Sequence, residues 1–120
     1  MKVTILGSSS ATPVYNRNPS SQILSIQDNL FLIDCGEGTL FRLNTFRIKK
    51  NKIKAIFISH LHGDHFYGLI GLLTTMSMQE REEKIYIVSP YGVQEIIELQ
   101  CSLSKTSIRF PIEYIVFDDL

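Results

Sequence analysis

Residues 59–65 read Ser-His-Leu-His-Gly-Asp-His and contain all three histidines of the 120-residue chain. Four potential metal ligands, His60, His62, Asp64 and His65, therefore lie within six residues. Imidazole and carboxylate groups hold borderline divalent metals at neutral pH, and a set rich in imidazole favours zinc, with manganese and iron as alternatives. The density of ligands predicts a metal-binding loop rather than three unrelated surface histidines.

The segments on either side of this loop predict the local fold. Residues 53–58 are β-branched, aromatic or small apart from Lys54, which is typical of a buried strand. Residues 66–78 are predominantly apolar and predict a helix, in which Gly68 and Gly71 are expected to permit close packing. The loop is therefore predicted to connect the end of a strand to the start of a helix.

The spacing within the loop predicts two neighbouring metal positions. Alternate residues of an extended chain point to one side, so His60 and His62 can share one metal. Gly63 frees the backbone to turn, and Asp64 and His65 then face a second point nearby. Two metals roughly 3.5–4 Å apart can activate a water nucleophile and neutralise charge on an attacked phosphodiester or carbonyl.

The rest of the chain predicts a layered α/β sheet in one unit, because no repeat, linker or low-complexity tract interrupts it. A helix is expected over about 39–49, and another begins near Pro90, with Val93, Ile96, Ile97 and Leu103 on its inner face. The strand at residues 30–33 is apolar enough to be buried on both faces. Further strands are predicted over 3–6, 21–26, 85–88 and 112–117.

Composition predicts a cytoplasmic protein with no membrane association. No apolar run approaches the ~18 residues of a membrane span, and the first residues lead into a strand pattern rather than a signal peptide. Cys35 and Cys101 are far apart and show no CxxC spacing, so reduced, buried thiols are expected.

Basic residues are concentrated before the histidine loop. Between Gly38 and Gly63 there are six Lys or Arg and no acid, in a chain whose net charge is zero. Such a run is either a footprint for phosphates or a solvated helix end and turn, where cations also favour the helix dipole. The six residues are Arg42, Arg47, Lys49, Lys50, Lys52 and Lys54.

The loop at residues 60–65 resembles the signature of the metallo-β-lactamase superfamily. Flanking segments narrow the resemblance to the ribonuclease Z family, whose members are endonucleases that process the 3′ end of tRNA. The Asp-Cys-Gly-Glu-Gly-Thr run at 34–39 is the most discriminating of these segments. The others are Leu-Gly-Ser-Ser-Ser at 6–10, Arg-Asn at 17–18, Gly-Leu-Ile-Gly-Leu-Leu at 68–73 and Ser-Pro-Tyr-Gly at 89–92.

This resemblance implies a fold and a role for each ligand. The family is an αββα sandwich of two similar halves with two zinc ions between them, and residues 1–120 are expected to form the N-terminal half, a mixed sheet with covering helices. By the resemblance His60 and His62 bind one zinc, while Asp64 and His65 bind the other. Asp64 is also the family's proposed proton-transfer residue at the scissile phosphate. We suggest that Asp34 orients a ligand imidazole or fixes the loop, while a capping role in the turn before Gly36 is the alternative.

Two ligands for each metal do not complete a zinc site, which needs three or four protein ligands. We therefore expect the 120-residue chain alone to be inactive, as the N-terminal part of an enzyme that acts on precursor tRNA. A non-catalytic half-domain that associates as a homodimer or higher oligomer is one alternative. Another is a different hydrolase of the superfamily, acting on cyclic phosphodiesters, sulfate esters or thioesters.

Overall fold

In a computed structural model of the chain, residues 1–7, 21–61 and 63–117 are described, with the backbone alone at 63 and 64. Segments 8–10 and 17–18 of the resemblance lie outside these residues. The described residues form strands β1 Lys2–Gly7, β2 Ser21–Ile26, β3 Asn29–Ile33, β4 Ile53–Phe57, β5 Ile85–Pro90 and β6 Ile112–Phe117. Their helices are α1 Thr39–Thr45, α2 Gly63–Phe66, α3 Leu69–Met78 and α4 Val93–Ser104, with one 3₁₀ turn at Lys50–Lys52.

The described strands form one mixed sheet in which spatial order follows chain order, β1 to β6. Strands β1, β2 and β3 are antiparallel neighbours, and β3 to β6 are parallel. Each parallel connection carries a helix and steps the same way along the sheet. Because such crossovers are right-handed, the helices are expected on one face. The predicted mixed sheet with covering helices is confirmed.

The helix-covered face of the sheet forms the core. One row of register partners runs across all six strands, and its four central members, Ile23, Leu32, Ile56 and Ile87, are almost fully buried. Helical side chains complete the same apolar cluster, including Leu43, Leu72, Leu73, Met76 and Val93. Burying an aliphatic side chain of this size contributes about 1.5–3 kcal/mol, so this row and the helices above it dominate stability.

The opposite face of the sheet is apolar and only partly covered. The expectation that residues 30–33 are buried on both faces was wrong, because Leu32 is fully buried while Phe31 and Ile33 on the other face are only half-buried. Two rows of register partners make up this second face, which we call the open face: Val3, Leu24, Phe31, Ala55, Tyr86 and Glu113, and Ile5, Gln22, Ile33, Phe57, Val88 and Ile115.

Two helix boundaries differ from the sequence prediction. Helix α1 ends at Thr45, and Arg47 adopts a left-handed φ of 56°, which a continuing helix does not allow. Pro90 is the last residue of β5 rather than a helix start, and Gly92, with φ 117°, precedes α4 instead. Glu95 accepts a hydrogen bond from the Gly92 N–H at 3.1 Å, which caps the helix.

The inner face of α4 also differs from the prediction. Val93 and Ile97 are buried as expected, whereas Ile96 and Leu103 are exposed, Leu103 to 75%. Cys101 packs against the core in place of Leu103. Within the described residues no helix has both the length and the apolar composition that a membrane crossing requires.

Arg81 fixes the segment that leads into β4. Its guanidinium is buried and donates to five backbone carbonyl oxygens from two separate stretches of chain, the shortest bond being 2.8 Å from Nη2 to the oxygen of Ile53. A buried cation needs this degree of pairing. The other acceptors are the carbonyls of Lys50, Asn51, Glu83 and Lys84.

The two glycines near the start of α3 have different surroundings. A Cβ at Gly68 would overlap the carbonyl oxygen of Gly36 and lie 3.1 Å from that of Cys35. A Cβ at Gly71 would meet nothing within 4 Å. The expectation of close packing is therefore confirmed for Gly68 and wrong for Gly71.

These surroundings predict opposite effects of the same substitution. Gly68→Ala should lower the free energy of unfolding by about 1–3 kcal/mol, because the backbone of residues 35–36 must shift. Gly71→Ala should raise it by about 0.5–1 kcal/mol, because alanine is the better residue at an exposed position inside a helix. Urea unfolding followed by circular dichroism measures both. Equal effects of the two substitutions would contradict the close approach at Gly68.

Candidate metal centre

The histidine loop lies where two parallel strands end side by side. Strand β3 ends at Ile33 and β4 at Phe57, and these two residues are register partners. The Asp34 N–H donates to the carbonyl of Phe57 at 2.7 Å, so the pairing continues one residue beyond β3. Asp34 and Ser59 thus emerge at the same carboxyl edge of the sheet, the edge at which open α/β sheets bind their ligands.

The Asp34 carboxylate is the centre of the contacts at this edge. Its Oδ1 accepts the backbone N–H of Ser59 at 2.8 Å, and the Ser59 hydroxyl lies 2.9 Å from both carboxylate oxygens. Its Oδ2 lies 2.9 Å from Nδ1 of His65. Asp34 itself has a left-handed φ of 62°, a conformation that aspartate tolerates better than most residues and that turns its side chain into the loop.

This contact determines which nitrogen of His65 carries the proton. A carboxylate only accepts hydrogen bonds, so Nδ1 of His65 must be the donor. In the neutral ring the lone pair then lies on Nε2, the tautomer that a histidine needs to bind a metal through Nε2. The ring of His60 lies beside it, with ring centroids 5.1 Å apart, and Nδ1 of His60 is 3.0 Å from the Ser59 hydroxyl.

Backbone bonds tie the loop to the segment that follows β3. The Cys35 N–H donates to the carbonyl of His65 at 2.6 Å, and the Gly68 N–H donates to the carbonyl of Cys35 at 2.8 Å. On the other side, Leu61 packs over the start of α4, where a Cβ on Gly92 would lie 2.9 Å from its Cδ2. The loop is therefore in contact with the segment that follows β3 on one side and with the start of α4 on the other.

Cys35 supports the loop without offering a ligand. Burial raises the pKa of its thiol to about 12, an effect larger than the opposing hydrogen bond with Thr39. The thiolate is the form that binds metals, so Cys35 remains a neutral core side chain at physiological pH. Both cysteines are free, as expected, but only Cys35 is buried; Cys101 is half-buried.

The structure describes part of the predicted ligand set. His60 and His65 lie close together at the strand ends, while His62 and the side chain of Asp64 lie outside the described residues. Within the described part of the chain no group of three or more His, Cys, Asp or Glu side chains forms a metal site. The assignment of His60, His62, Asp64 and His65 as ligands therefore stays a prediction.

The basic stretch lies at the other end of β4. Lys49, Lys50 and Lys52 line a hollow of about 380 Å³ beside the start of that strand. Strand β4 rises roughly 3.3 Å per residue and ends at the loop, so about 16 Å or more separates the two features. Lys50 donates to Asn44 at 2.7 Å and Lys54 pairs with Glu83 at 2.9 Å, as expected for a solvated turn.

Ser59 is a functional candidate that sequence reasoning missed. Its hydroxyl contacts Asp34 and Nδ1 of His60, and it lies 3.4 Å from Nδ1 of His65. The only signal in the sequence was a hydroxyl directly before the histidine cluster, because a serine side chain can both donate and accept a hydrogen bond. Its second partner, Asp34, is 25 residues away and requires the fold.

Comparison with known proteins assigns the chain to a family. A family model described as Anti-Pycsar protein Apyc1 matches residues 1–107. The chain belongs to that family.

Relatives of this Apyc1-family chain carry the name expected from the sequence. Ribonuclease Z of Cytophaga hutchinsonii is 47% identical over 96% of the chain. The crystal structure of human tRNase Z, short form, matches 95% of the chain with a TM-score of 0.87 and 41% identity. The metallo-β-lactamase fold protein YhfI from Bacillus subtilis matches 96% with a TM-score of 0.71 and 23% identity. The resemblance to ribonuclease Z and the metallo-β-lactamase fold are thus confirmed.

The matched region includes nearly all of the Apyc1-family chain but less than half of the length of each relative. The chain spans 37% of the Cytophaga enzyme, 43% of the human enzyme chain and 46% of YhfI. The described fold accordingly represents less than half of each of these proteins.

Asp34 and Asp28 provide a matched pair for testing the carboxylate contacts. Both have a left-handed φ, 62° and 67°, but Asp28 lies in the exposed hairpin turn between β2 and β3. Asp28→Ala should lower the free energy of unfolding by about 1 kcal/mol through backbone strain alone. Asp34→Ala should lower it by about 3–4 kcal/mol, because a charged acceptor of several hydrogen bonds is also removed.

Urea unfolding at constant pH measures both substitutions. A loss at Asp34 no larger than the loss at Asp28 would show that the carboxylate does not stabilise the loop.

Proposed function

We propose that the chain supplies the metal-binding loop of a ribonuclease Z-type phosphodiesterase, which cleaves the 3′ extension of precursor tRNA. The observation that carries this proposal is the bond from Nδ1 of His65 to Asp34. It orients an imidazole with its Nε2 lone pair at the open end of parallel strands, as a metal ligand requires. The names and similarity of the relatives support the same reaction.

The residues present fit a pair of divalent metals, and we propose zinc. His60 and His62 would hold one ion, and Asp64 and His65 the other. Nitrogen donors with one carboxylate suit zinc better than magnesium or calcium, which prefer oxygen ligands alone. When bound, such ions lower the pKa of a water molecule and neutralise charge on the phosphodiester.

The chain's own residues would perform three tasks in this reaction. Asp34 holds His65 in one tautomer, and the buried β3 and β4 ends keep the loop at a defined place. Asp64 would transfer a proton at the scissile phosphate, as the ribonuclease Z resemblance implies. The remaining ligands would come from residues that lie beyond position 117 in the longer relatives.

Two different substrates are candidates for this reaction. The family model is described as Anti-Pycsar protein Apyc1, whereas the curated relatives are named ribonuclease Z. The difference between these names keeps open another hydrolase of the superfamily, and we take a hydrolase of cyclic phosphodiesters, one of the alternatives that the sequence leaves, as the second candidate. The lysine-lined hollow favours neither, because it lies too far from the loop to contact the phosphate being cleaved.

A chimera tests the proposed reaction. Residues 1–117 replace the matching segment of the Cytophaga hutchinsonii enzyme, and the purified protein receives zinc and a precursor tRNA with a 3′ extension. We expect cleavage at the 3′ end, and at least a 100-fold loss in the chimera with His60→Ala. Met78→Ala, at an exposed position of α3 distant from the loop, should retain full activity.

Two outcomes of this experiment count against the first candidate. A folded chimera without activity, beside an active parent enzyme, would contradict the proposal. Cleavage of a cyclic nucleotide but not of precursor tRNA would favour the second candidate. Residues 1–120 alone should cleave neither substrate, because each metal then has only two of its ligands.

We also propose that the isolated chain associates with a second copy of itself through the open face. This face carries two apolar rows across six strands, with exposed fractions of 61% at Ile5 and 46% at Ile115. Large exposed apolar patches are uncommon on monomers. Among the twelve residues of the two rows only Gln22 and Glu113 are polar, so a second open face is a complementary partner.

Charge on the open face should abolish this association. Wild-type residues 1–120 should sediment as a dimer or larger species at about 100 µM, whereas the double variant Ile5→Glu/Ile115→Glu should be monomeric. The control is Leu99→Glu/Leu103→Glu, which places the same charges on the exposed side of α4. A monomeric wild-type chain, or equal loss in the control, would contradict the use of the open face.

A further inference from the structure

The Ser59 hydroxyl stands between the two imidazoles and the Asp34 carboxylate. It lies 2.9 Å from each carboxylate oxygen of Asp34 and 3.0 Å from Nδ1 of His60. These distances are hydrogen-bonding distances on both sides. Ser59 is thus in contact with the group that orients His65 and with the other described histidine.

The single proton of the Ser59 hydroxyl determines the direction of these hydrogen bonds. A serine hydroxyl has one proton to donate and two lone pairs to accept with. The Asp34 carboxylate can only accept, and a hydrogen bond to a charged acceptor is roughly twice as strong as one between neutral groups. Ser59 therefore donates to Asp34, which leaves its lone pairs facing Nδ1 of His60.

The direction of the Ser59 bond determines which nitrogen of His60 carries the proton. Nδ1 of His60 can bond to a hydroxyl lone pair only if it carries the proton, which leaves the lone pair of the neutral ring on Nε2. The reverse arrangement, with Ser59 donating to His60, would protonate Nε2 and prevent it from binding a metal. The carboxylate decides between them because it takes the Ser59 proton.

We infer that Ser59 is a positioning residue that carries the orienting effect of Asp34 to His60. One carboxylate then sets the tautomer of both histidines, directly at His65 and through a hydroxyl at His60. The significance of this arrangement rests on the proposed metal-binding function, since the two rings are assigned to different metals. The tautomers themselves can be measured on the chain without metal.

Long-range ¹H–¹⁵N correlation spectra of the imidazole rings test the inference. The chain has only three histidines, and His60→Gln and His65→Gln variants assign their signals. At a pH where the rings are neutral, both His60 and His65 of the wild-type chain should carry the proton on Nδ1. Ser59→Ala should move the His60 proton mainly to Nε2 and leave His65 unchanged, while Ser59→Thr should restore the wild-type pattern.

We call the path from Asp34 through the Ser59 hydroxyl to His60 the relay. The variant Asp34→Asn distinguishes this relay from a general loosening of the loop. Removing the charge of Asp34 should change the tautomer of both His60 and His65, whereas Ser59→Ala should change the tautomer of His60 alone. Circular dichroism must show that both variants are folded. If Ser59→Ala unfolds the chain, the comparison of Ser59→Thr with Asp34→Asn still decides. Retention of the Nδ1 proton on His60 in Ser59→Ala, or equal changes at both rings, would overturn the inference.

A titration of the chimera with zinc alone distinguishes a failure of Ser59 to set the His60 tautomer from a failure of the proposed function, because the chimera supplies the remaining ligands. A 10–100-fold weaker zinc affinity in Ser59→Ala, together with the tautomer change, supports both. If Ser59→Ala shows the tautomer change but the chimera with wild-type Ser59 binds no zinc, the role of Ser59 is supported and the metal site is contradicted. Zinc binding without the tautomer change contradicts the relay alone.

Discussion

The hydrogen bonds to the Asp34 carboxylate are the interactions on which the described part of the histidine loop depends. The carboxylate comes from the end of β3 and receives hydrogen bonds from the loop that follows β4, so it joins two strand ends into one rigid edge. A nearly buried carboxylate is stable only when its oxygens are well satisfied, and here a backbone N–H, a hydroxyl and an imidazole surround it. The left-handed backbone of Asp34 is the local strain that this pairing offsets.

The sheet explains why this carboxylate and this loop meet. Parallel pairing of β3 with β4 sets both carboxyl ends at the same edge, and the helices that follow return the chain over one face. The short approach of Gly68 to Gly36 then draws the start of α3 against the Asp34 segment. At the opposite end of β4, Arg81 secures the entry of the same strand through five carbonyl groups. Both ends of the strand that carries the loop are therefore held.

Much of this could be predicted from the sequence, because the signals are local. Alternating apolar runs predicted the strands, and the ligand density at residues 60–65 predicted the loop between β4 and a helix. The end of α1, the role of Pro90 and the outward position of Leu103 could not be predicted well. They depend on left-handed residues at 47 and 92 and on which side of α4 meets the sheet, which only tertiary packing decides.

The hydrogen-bond partners of Asp34 could not be predicted from the sequence. Its position before Gly36 was equally consistent with a turn cap, and its partner Ser59 lies 25 residues away. The open face illustrates the same limit for the fold. Hydrophobicity alone suggested strands buried on both sides, whereas the register shows one covered face and one exposed face.

Hydrogen exchange at the backbone amide of Ser59 measures whether the Asp34 carboxylate holds the loop in place. This amide lies beyond the last residue of β4 and donates to the Asp34 side chain at 2.8 Å, while its neighbour Ile58 donates to the carbonyl of Val88 at 2.8 Å. If the carboxylate holds the loop, Ser59 should exchange nearly as slowly as Ile58, and it should lose that protection in Asp34→Ala while Ile58 keeps it. Rapid exchange of Ser59 in the wild-type chain, at the rate of an open loop, would show that the Asp34 carboxylate does not hold the loop.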